Sequence, residues 1–376
     1  MNFELTEEQG ALQDSLARLL SDQHGPEQRR ELAASEAGYS REIWRQMAEL
    51  GLTALPISEC DGGLGGTALD LMVVMQELGR SALASPLLCS CVLPVTALTL
   101  EADEATRGHW LAALAGGATQ MAWAHDELAG DGGANWLATR ATQSGAHWTL
   151  DGGKLNVLHA ASADQFLVSA RTSGQEGDAH GRALFLLAPD APGLTLRHYR
   201  LIDGTPAAEL RMTGVRATPV NGAAPGSGID AALAIGIAAA CADMVGAMEA
   251  ALRLTVEYLN TRKQFGRLIG QNQALRHKTA EMLVNLELAR SMAIGAAACA
   301  DRLSAGGDRT DLHRAKLVVG RYARSLCQAA IQLHGGIGMT EEYAVGQYLK
   351  RVHVLDQMFG DAEMHAETLT HNNLGE

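Results

Sequence analysis

A stretch with the texture of a β-sheet lies between two long segments that read as helices, and this order restricts the fold more than any other feature of the chain. Between Met121 and Pro225 the runs HWTLDGGKL, QFLVSAR, ALFLLAP and LTLRHY are short, rich in β-formers and bounded by Gly, Pro and Asp, the punctuation of a small antiparallel sheet or barrel. Asp151-Gly152-Gly153 reads as a hairpin-like turn between two of these strands. Before this stretch, Thr6 and Gln9 form a capping box ahead of Leu12, Leu16, Leu19 and Leu20, which are spaced as one helix face. A later helix carries Ile43, Met47 and Leu50 on one face and stops at Gly51. DGGLGG, Asp61 to Gly66, then makes a tight interhelical turn before a helix from Leu69 to Leu78.

From Ile229 the chain is helical again, with Met244, Met248, Leu252 and Val256 four apart and many Ala and Gly residues that let helices approach closely. The expected fold is α+β and multidomain. An N-terminal helical domain spans 1–118, a middle antiparallel β domain 119–225, and a C-terminal four-helix bundle 226–376. No α/β alternation and no GxGxxG after a strand occurs, which disfavours a nicotinamide-binding Rossmann domain.

Composition excludes other classes. At 376 residues, 47% hydrophobic and a formal net charge of −13, the chain can build several cores but has no basic stripe for a nucleic acid. Six scattered cysteines without CxxC pairs read as buried free thiols and not as a metal centre. The acidic start MNFELTEEQ has neither signal-peptide nor transit-peptide character, which points to the cytoplasm. The apolar run Ala231 to Met248, interrupted by Asp243, reads as a buried helix and not a membrane span.

Three segments carry a resemblance. They are Trp44 to Arg80, RKQFGRLIGQNQALRHKTAEM from Arg262 to Met282, and QLHGGIGMTEEYAVGQYLKRVHVLDQMFGD from Gln332 to Asp361. In this order they resemble the acyl-CoA dehydrogenase family over essentially the whole chain. The resemblance implies FAD as cofactor and an acyl-CoA thioester as substrate: a carboxylate removes the α-proton while hydride leaves the β-carbon for the flavin. It implies that Arg262, Gln264, Phe265 and Gln273 reach across a subunit interface to the ADP half of a neighbour's FAD, together with Gln332, Gly335 and Gly336. These residue types suit that task. An arginine fork gives a diphosphate two parallel charge-assisted bonds, and paired glycines admit close backbone approach.

The chain departs from the family at the chemistry. The family's base glutamate falls on Phe359, and the alternative base position on the preceding helix falls on Gly236, with a nearby arginine position on Ile237. The Trp-Ile-Thr strand that packs on the flavin ring aligns with Asn156-Val157-Leu158, and the Thr-Glu-Pro-Gly loop with Ala122 to Gly133. Asp356, Asp361 and Glu363 lie near Phe359 as substitute acids, with His353 and His365 beside them. The pattern fits the small subunit of a heteromeric enzyme, of the pimeloyl-CoA or steroid side-chain dehydrogenase type. A related partner chain in a heterotetramer would then supply the glutamate, and electron-transfer flavoprotein would accept the electrons, in fatty acid or steroid catabolism. A self-sufficient homo-oligomeric enzyme with an unconventional base and a catalytically silent assembly member are the alternatives.

Overall fold

The computed structural model describes residues 5–128, 136–303 and 308–374. Helices α1 (Glu7–Gln23), α2 (Pro26–Ala34), α3 (Arg41–Glu49), α4 (Ala68–Ser81), α5 (Leu93–Glu101) and α6 (Glu104–Ala115) come first. Strands β1 (Met121–Ala124), β2 (Arg140–Ser144), β3 (His147–Leu158), β4 (Gln165–Arg171), β5 (Arg182–Leu187), β6 (Leu194–Arg200) and β7 (Pro206–Pro219) follow. Helix α7 (Ser227–Thr261) leads to a small hairpin, β8 (Lys263–Gln264) and β9 (Arg267–Leu268). The chain ends in α8 (Gln273–Leu303), α9 (Thr310–His334), α10 (Val345–Gln357) and α11 (Ala362–Leu374). This is the helical, β, helical order expected from the sequence.

Two compact units are interleaved along the chain. One is drawn from Met1–Arg30, Met72–Leu83 and Ile237–Glu376, the other from Glu31–Leu71 and Ala84–Gly236.

In the first unit, α1 starts at the Thr6–Gln9 capping box and buries Leu16 and Leu20. Small residues set its closest packing. A Cβ on Gly79 of α4 would stand 2.0 Å from the Asp243 carbonyl of α7, and one on Gly246 would stand 2.0 Å from the Gln76 carbonyl. The two backbones touch, as the Ala and Gly content of α7 foretold. Met244 and Met248 are fully buried and Leu252 nearly so, but Val256 is exposed, so the four-residue stripe ends before the last turns. Asp243 is buried against Arg351 of α10 at 2.5 Å. Both α7 and α8 are long and apolar enough to cross a membrane, yet 89% of the apolar window of α7 is inside the protein, which makes it a core helix. For α8 the share is 39%, and Leu283, Val284 and Leu288 remain exposed.

In the second unit, Ser40 caps α3, which buries Ile43, Trp44 and Met47, and the Trp44 indole donates to the Gly117 carbonyl at 2.7 Å. Leu50 is exposed, contrary to expectation, because the helix closes one residue earlier and Leu50 caps it. The sheet runs β1-β4-β2-β3-β7-β5, with β6 on β7. Since β4 also pairs with β5, the pairings β4-β5-β7-β3-β2-β4 form a closed ring around Leu150, Phe166, Val168, Phe185 and Leu210. Pairing is antiparallel except at β4, where β1 and one residue of β2 lie parallel. Asp151-Gly152-Gly153 is not a turn. It lies inside β3, where a register shift against β7 between Leu150 and Gly152 absorbs it. Gly152 has φ +146 and no room for a Cβ beside Thr139, so the glycines serve a bulge.

Five cysteines are buried and Cys60 is exposed, all of them free. No cluster of metal-ligating residues occurs among the described residues.

Candidate functional site

The RKQFG segment forms the β8–β9 hairpin, with Lys263 opposite Leu268 and Gln264 opposite Arg267. Its two-residue loop is Phe265-Gly266, with φ +50 and +77. A loop of this length takes positive φ at both positions to match strand twist. Glycine suits this at 266. Phenylalanine at 265 does not, and its side chain is 100% exposed. Arg262, Gln264 and Gln273 are exposed as well, and Arg262 makes no ion pair among the described residues. The hairpin is nonetheless firmly rooted. Arg262 N donates to the Tyr258 carbonyl at 2.9 Å and Ile269 N to the Arg262 carbonyl at 3.0 Å.

Charge sharpens the picture in a way the motif alone did not. From Tyr258 to Ala280 the chain carries Arg262, Lys263, Arg267, Arg276 and Lys278 and no Asp or Glu, within a protein of net charge −13. Counting charge in a short window would have found it.

The second segment closes α9. Gln332 is exposed, and Gly335 ends the helix at φ 67, ψ −143, a conformation open only to glycine. Nothing lies within 4 Å of a Cβ placed on Gly335 or Gly336, so the backbone here is free to be approached. The two segments, far apart in sequence, are joined by rings. The Tyr258 phenol stacks on the His334 imidazole at 4.6 Å and 28°, and Tyr343 packs against both at 4.9 and 6.3 Å.

The Phe359 loop is held from below. The buried Lys316 ammonium donates to the carbonyls of Asp356 at 2.6 Å and Gly360 at 2.7 Å. His365 Nε2 donates to the Phe359 carbonyl at 3.1 Å, and its Nδ1 meets His313 Nδ1 at 2.7 Å. Burial, with Lys316 and His313 adding, pushes the His365 imidazole down to about 3, so it stays neutral, and with Nε2–H on the carbonyl its Nδ1 is left to accept from His313. Phe359 and Gly360 both take positive φ, +61 and +89.

Asp361 and Glu363 have structural partners, and the Asp356 carboxyl, buried with no hydrogen bond, has only an ion-pair neighbour. Asp356 is 1% exposed beside Arg324 at 3.3 Å, and burial raises its carboxyl. Asp361 accepts from Met364 N at 2.9 Å at the start of α11. Glu363 is exposed and pairs with Arg324 at 3.1 Å. His353 lies on α10, which ends before the loop. Gly236 and Ile237 sit inside α7, and neither supplies a titratable group.

In the second unit, Asn156 stands on a β3 bulge where Leu155 and Asn156 oppose Glu209 alone, between Lys154↔Leu210 and Val157↔Ala208. Its φ is +49, which asparagine tolerates. The Tyr199 hydroxyl from β6 accepts from Asn156 N at 2.9 Å and donates to Asn156 Oδ1 at 2.8 Å. Sequence reading missed Tyr199, since its contact crosses β7. It also missed Lys154, fully buried, whose ammonium donates to Glu127 at 2.6 Å and to the His125 carbonyl and Ser169 Oγ, both at 3.1 Å. That network consumes Glu127 and anchors the part of Ala122 to Gly133 that the structure describes. Residues 129–133 of that loop lie outside the described residues.

Three family models match in sequence order. They are the acyl-CoA dehydrogenase N-terminal domain over residues 6–118, the middle domain over 127–215 and the C-terminal domain over 228–374. The acyl-CoA dehydrogenase IpdE2 of Mycobacterium tuberculosis is 30% identical over 348 residues, covering 92% of this chain and 91% of that protein. The chain belongs to the acyl-CoA dehydrogenase family. The probable acyl-CoA dehydrogenase YngJ of Bacillus subtilis is 29% identical and covers 97% of both chains. Among solved structures, the Tcur3481-Tcur3483 steroid ACAD variant superposes with TM-score 0.87 at 26% identity, covering 97% of each chain. A glutaryl-coenzyme A dehydrogenase in complex with glutaryl-CoA gives TM-score 0.89 at 26% identity, covering 100% of this chain and 97% of that one. Within this acyl-CoA dehydrogenase fold, position 359 carries a phenylalanine, which can take no proton.

Proposed function

We propose that the chain is one subunit of an FAD-dependent acyl-CoA dehydrogenase built from two unlike chains of the family. FAD, when bound, supplies a hydride acceptor for the β-carbon of the acyl thioester. The partner chain supplies the glutamate that removes the α-proton. This chain holds the ADP half of the partner's flavin: Arg262 meets the diphosphate, Gln264, Phe265, Gln273 and Gln332 border it, and Gly335 and Gly336 admit the backbone contact.

One observation carries the reading: Lys316 and His365 hold the Phe359 loop, Asp361 accepts from Met364 N, Glu363 pairs with Arg324, and the Asp356 carboxyl is buried on α10 beside Arg324 with no hydrogen-bond donor to it. A loop so held favours its present course over one that aims another acid inward, which supports a base supplied from elsewhere. The exposed cationic hairpin with an unsupported phenylalanine at its tip, and the exposed Leu283, Val284 and Leu288 of α8, add a surface suited to a second subunit. The likeness to the Tcur3481-Tcur3483 steroid ACAD supports a two-chain assembly and a steroid-like acyl group. Electron-transfer flavoprotein is the acceptor the family implies, and the cytoplasm the compartment.

The test is expression of the chain alone and with a glutamate-bearing member of the family from the same genome, followed by flavin absorbance and dye-linked acyl-CoA oxidation. A colourless, inactive lone chain and a yellow, active pair are expected. A lone chain with one flavin per protomer and normal turnover overturns the reading, and absence of flavin from both preparations makes the chain a silent assembly member. In the pair, Arg262→Ala should weaken FAD retention about 10- to 100-fold, the loss of a charge-assisted hydrogen-bond pair.

A further inference from the structure

We infer that Tyr258, His334 and Tyr343 form a positioning cluster that fixes the distance between the RKQFG hairpin and the Gly335-Gly336 strap, so that both engage one diphosphate-bearing ligand. The inference rests on the proposed ADP-binding role of those two segments and adds residues to which that role assigned nothing.

Arg262 and Gly335 belong to different helix ends, and helix ends are where structure frays first. A ligand that touches both is bound tightly only if their separation is set before it arrives. Each segment is short and exposed, and neither hydrogen-bonds to the other in the structure. The rings supply the link. Tyr258 lies one helical turn before Arg262 and its carbonyl accepts the Arg262 amide, so any movement of the phenol moves the hairpin root. His334 immediately precedes Gly335, and the Gly335 amide is spent closing α9 on the Ile331 and Gln332 carbonyls. The position of the imidazole therefore fixes the start of the strap.

The imidazole is itself immobile. It is 3% exposed, and its Nδ1 donates to the Ala330 carbonyl at 2.7 Å, which sets the ring plane. Burial holds its pKa below the usual histidine range, so it is neutral and its stack on Tyr258 does not depend on protonation near pH 7. Close-packed rings at 4.6 Å and 28° resist sliding in a way that aliphatic contacts do not, because the preferred offset geometry is specific. Tyr343, in the segment after the strap, closes the open side against both rings. The return of the hairpin is equally tight: a Cβ on Gly270 would stand 2.7 Å from the Leu259 carbonyl, the residue after Tyr258. Sequence alone gives no hint of the cluster, since 76 residues separate Tyr258 from His334.

The experiment uses the FAD-loaded oligomer as purified from cells, with the FAD dissociation constant measured by flavin fluorescence and hydrogen exchange followed over 262–269 and 335–339. Tyr258→Leu should weaken FAD at least about tenfold and raise exchange in both segments together. Tyr258→Phe, which keeps the stack, should stay within about twofold of the parent. A purely structural ring would give a different result: Tyr258→Leu would lower the melting temperature and leave the FAD constant unchanged. That outcome, or a phenylalanine variant as weak as the leucine one, overturns the inference. If Tyr258→Leu does not fold, Tyr343→Leu at the outer ring gives the same readout with the same expected loss, and its unaltered FAD affinity would be equally fatal. Arg262→Ala separates this inference from the functional reading beneath it. FAD lost from Arg262→Ala but kept by both leucine variants sinks only the cluster, whereas FAD kept by Arg262→Ala sinks the ADP-binding role itself.

Discussion

Phe265→Asn should change sign between the free chain and the assembled enzyme. Phe265 occupies the left-handed region at φ +50 in a two-residue hairpin loop, and its side chain is wholly exposed. For an ordinary residue that conformation costs about 1–2 kcal/mol, and asparagine pays much less. Because the ring buries nothing in the isolated chain, its removal has no packing cost to set against the relief. The net gain is about 1 kcal/mol in the stability of the hairpin, or roughly fivefold slower exchange at the Ile269 amide that is bonded to the Arg262 carbonyl. In the assembly the balance reverses, since burying a phenylalanine side chain contributes about 1.5–3 kcal/mol. Native-state hydrogen exchange on the lone chain and gel filtration with flavin absorbance on the pair read the two arms. Unchanged or faster exchange in the lone chain would refute the strain argument. Assembly and flavin retention equal to the parent would show that the ring meets no partner.

Lys316→Met removes both donors from the Asp356 and Gly360 carbonyls and leaves the Asp356 carboxyl with Arg324 alone, so a loss of about 2–4 kcal/mol is expected in urea denaturation. A loss below about 1 kcal/mol would mean that the loop is not held by this ammonium. Phe359→Glu should not by itself give the lone chain dye-linked acyl-CoA oxidation, because Ile237 offers no charged group and Asn156, held by Tyr199, offers no indole; robust turnover would contradict this. His24 is pushed down to about 4, chiefly by burial with Arg29 adding. The unfolded chain therefore binds a proton that the folded chain refuses between pH 6.5 and 4, and stability present at pH 7 is lost on acidification through that window. His365 acts in the same direction down to about 3. Glu101 is pushed up to about 7, mainly by burial against the partial compensation of three backbone N–H groups, and acts oppositely between the usual carboxylate range and pH 7. Asp126, pushed up to about 6 by desolvation, acts as Glu101 does and offsets the histidines, so the His24 contribution is read by substitution: in urea titrations His24→Leu should gain about 2 kcal/mol at pH 5 relative to pH 7 compared with the parent.

Features written into adjacent residues were legible in the sequence. The Thr6–Gln9 capping box, the helix–sheet–helix order, the close approach permitted by the small residues of α7 and the absence of a carboxylate at 359 all depend on local chemistry. Local chemistry also misled. Asp151-Gly152-Gly153 has the composition of a turn, but β2 and β7 flank β3 on both sides and their pairing carries the segment through as a bulged strand. Leu50 and Val256 keep the right spacing for a buried face, yet a helix end and the limit of the packed region leave both exposed.

What the sequence determined by itself is therefore the family and the phenylalanine at 359, because both are read from residue identity. What only the tertiary structure decided is how the Phe359 loop is held and what holds the motifs together. The ammonium of Lys316 under the Phe359 loop, the Arg324 pairs with Asp356 and Glu363, the hold of Tyr199 on Asn156 and the Tyr258–His334 stack join residues distant in sequence. At Lys316, Asp356 and His334 folding also removes the water that would otherwise satisfy the group.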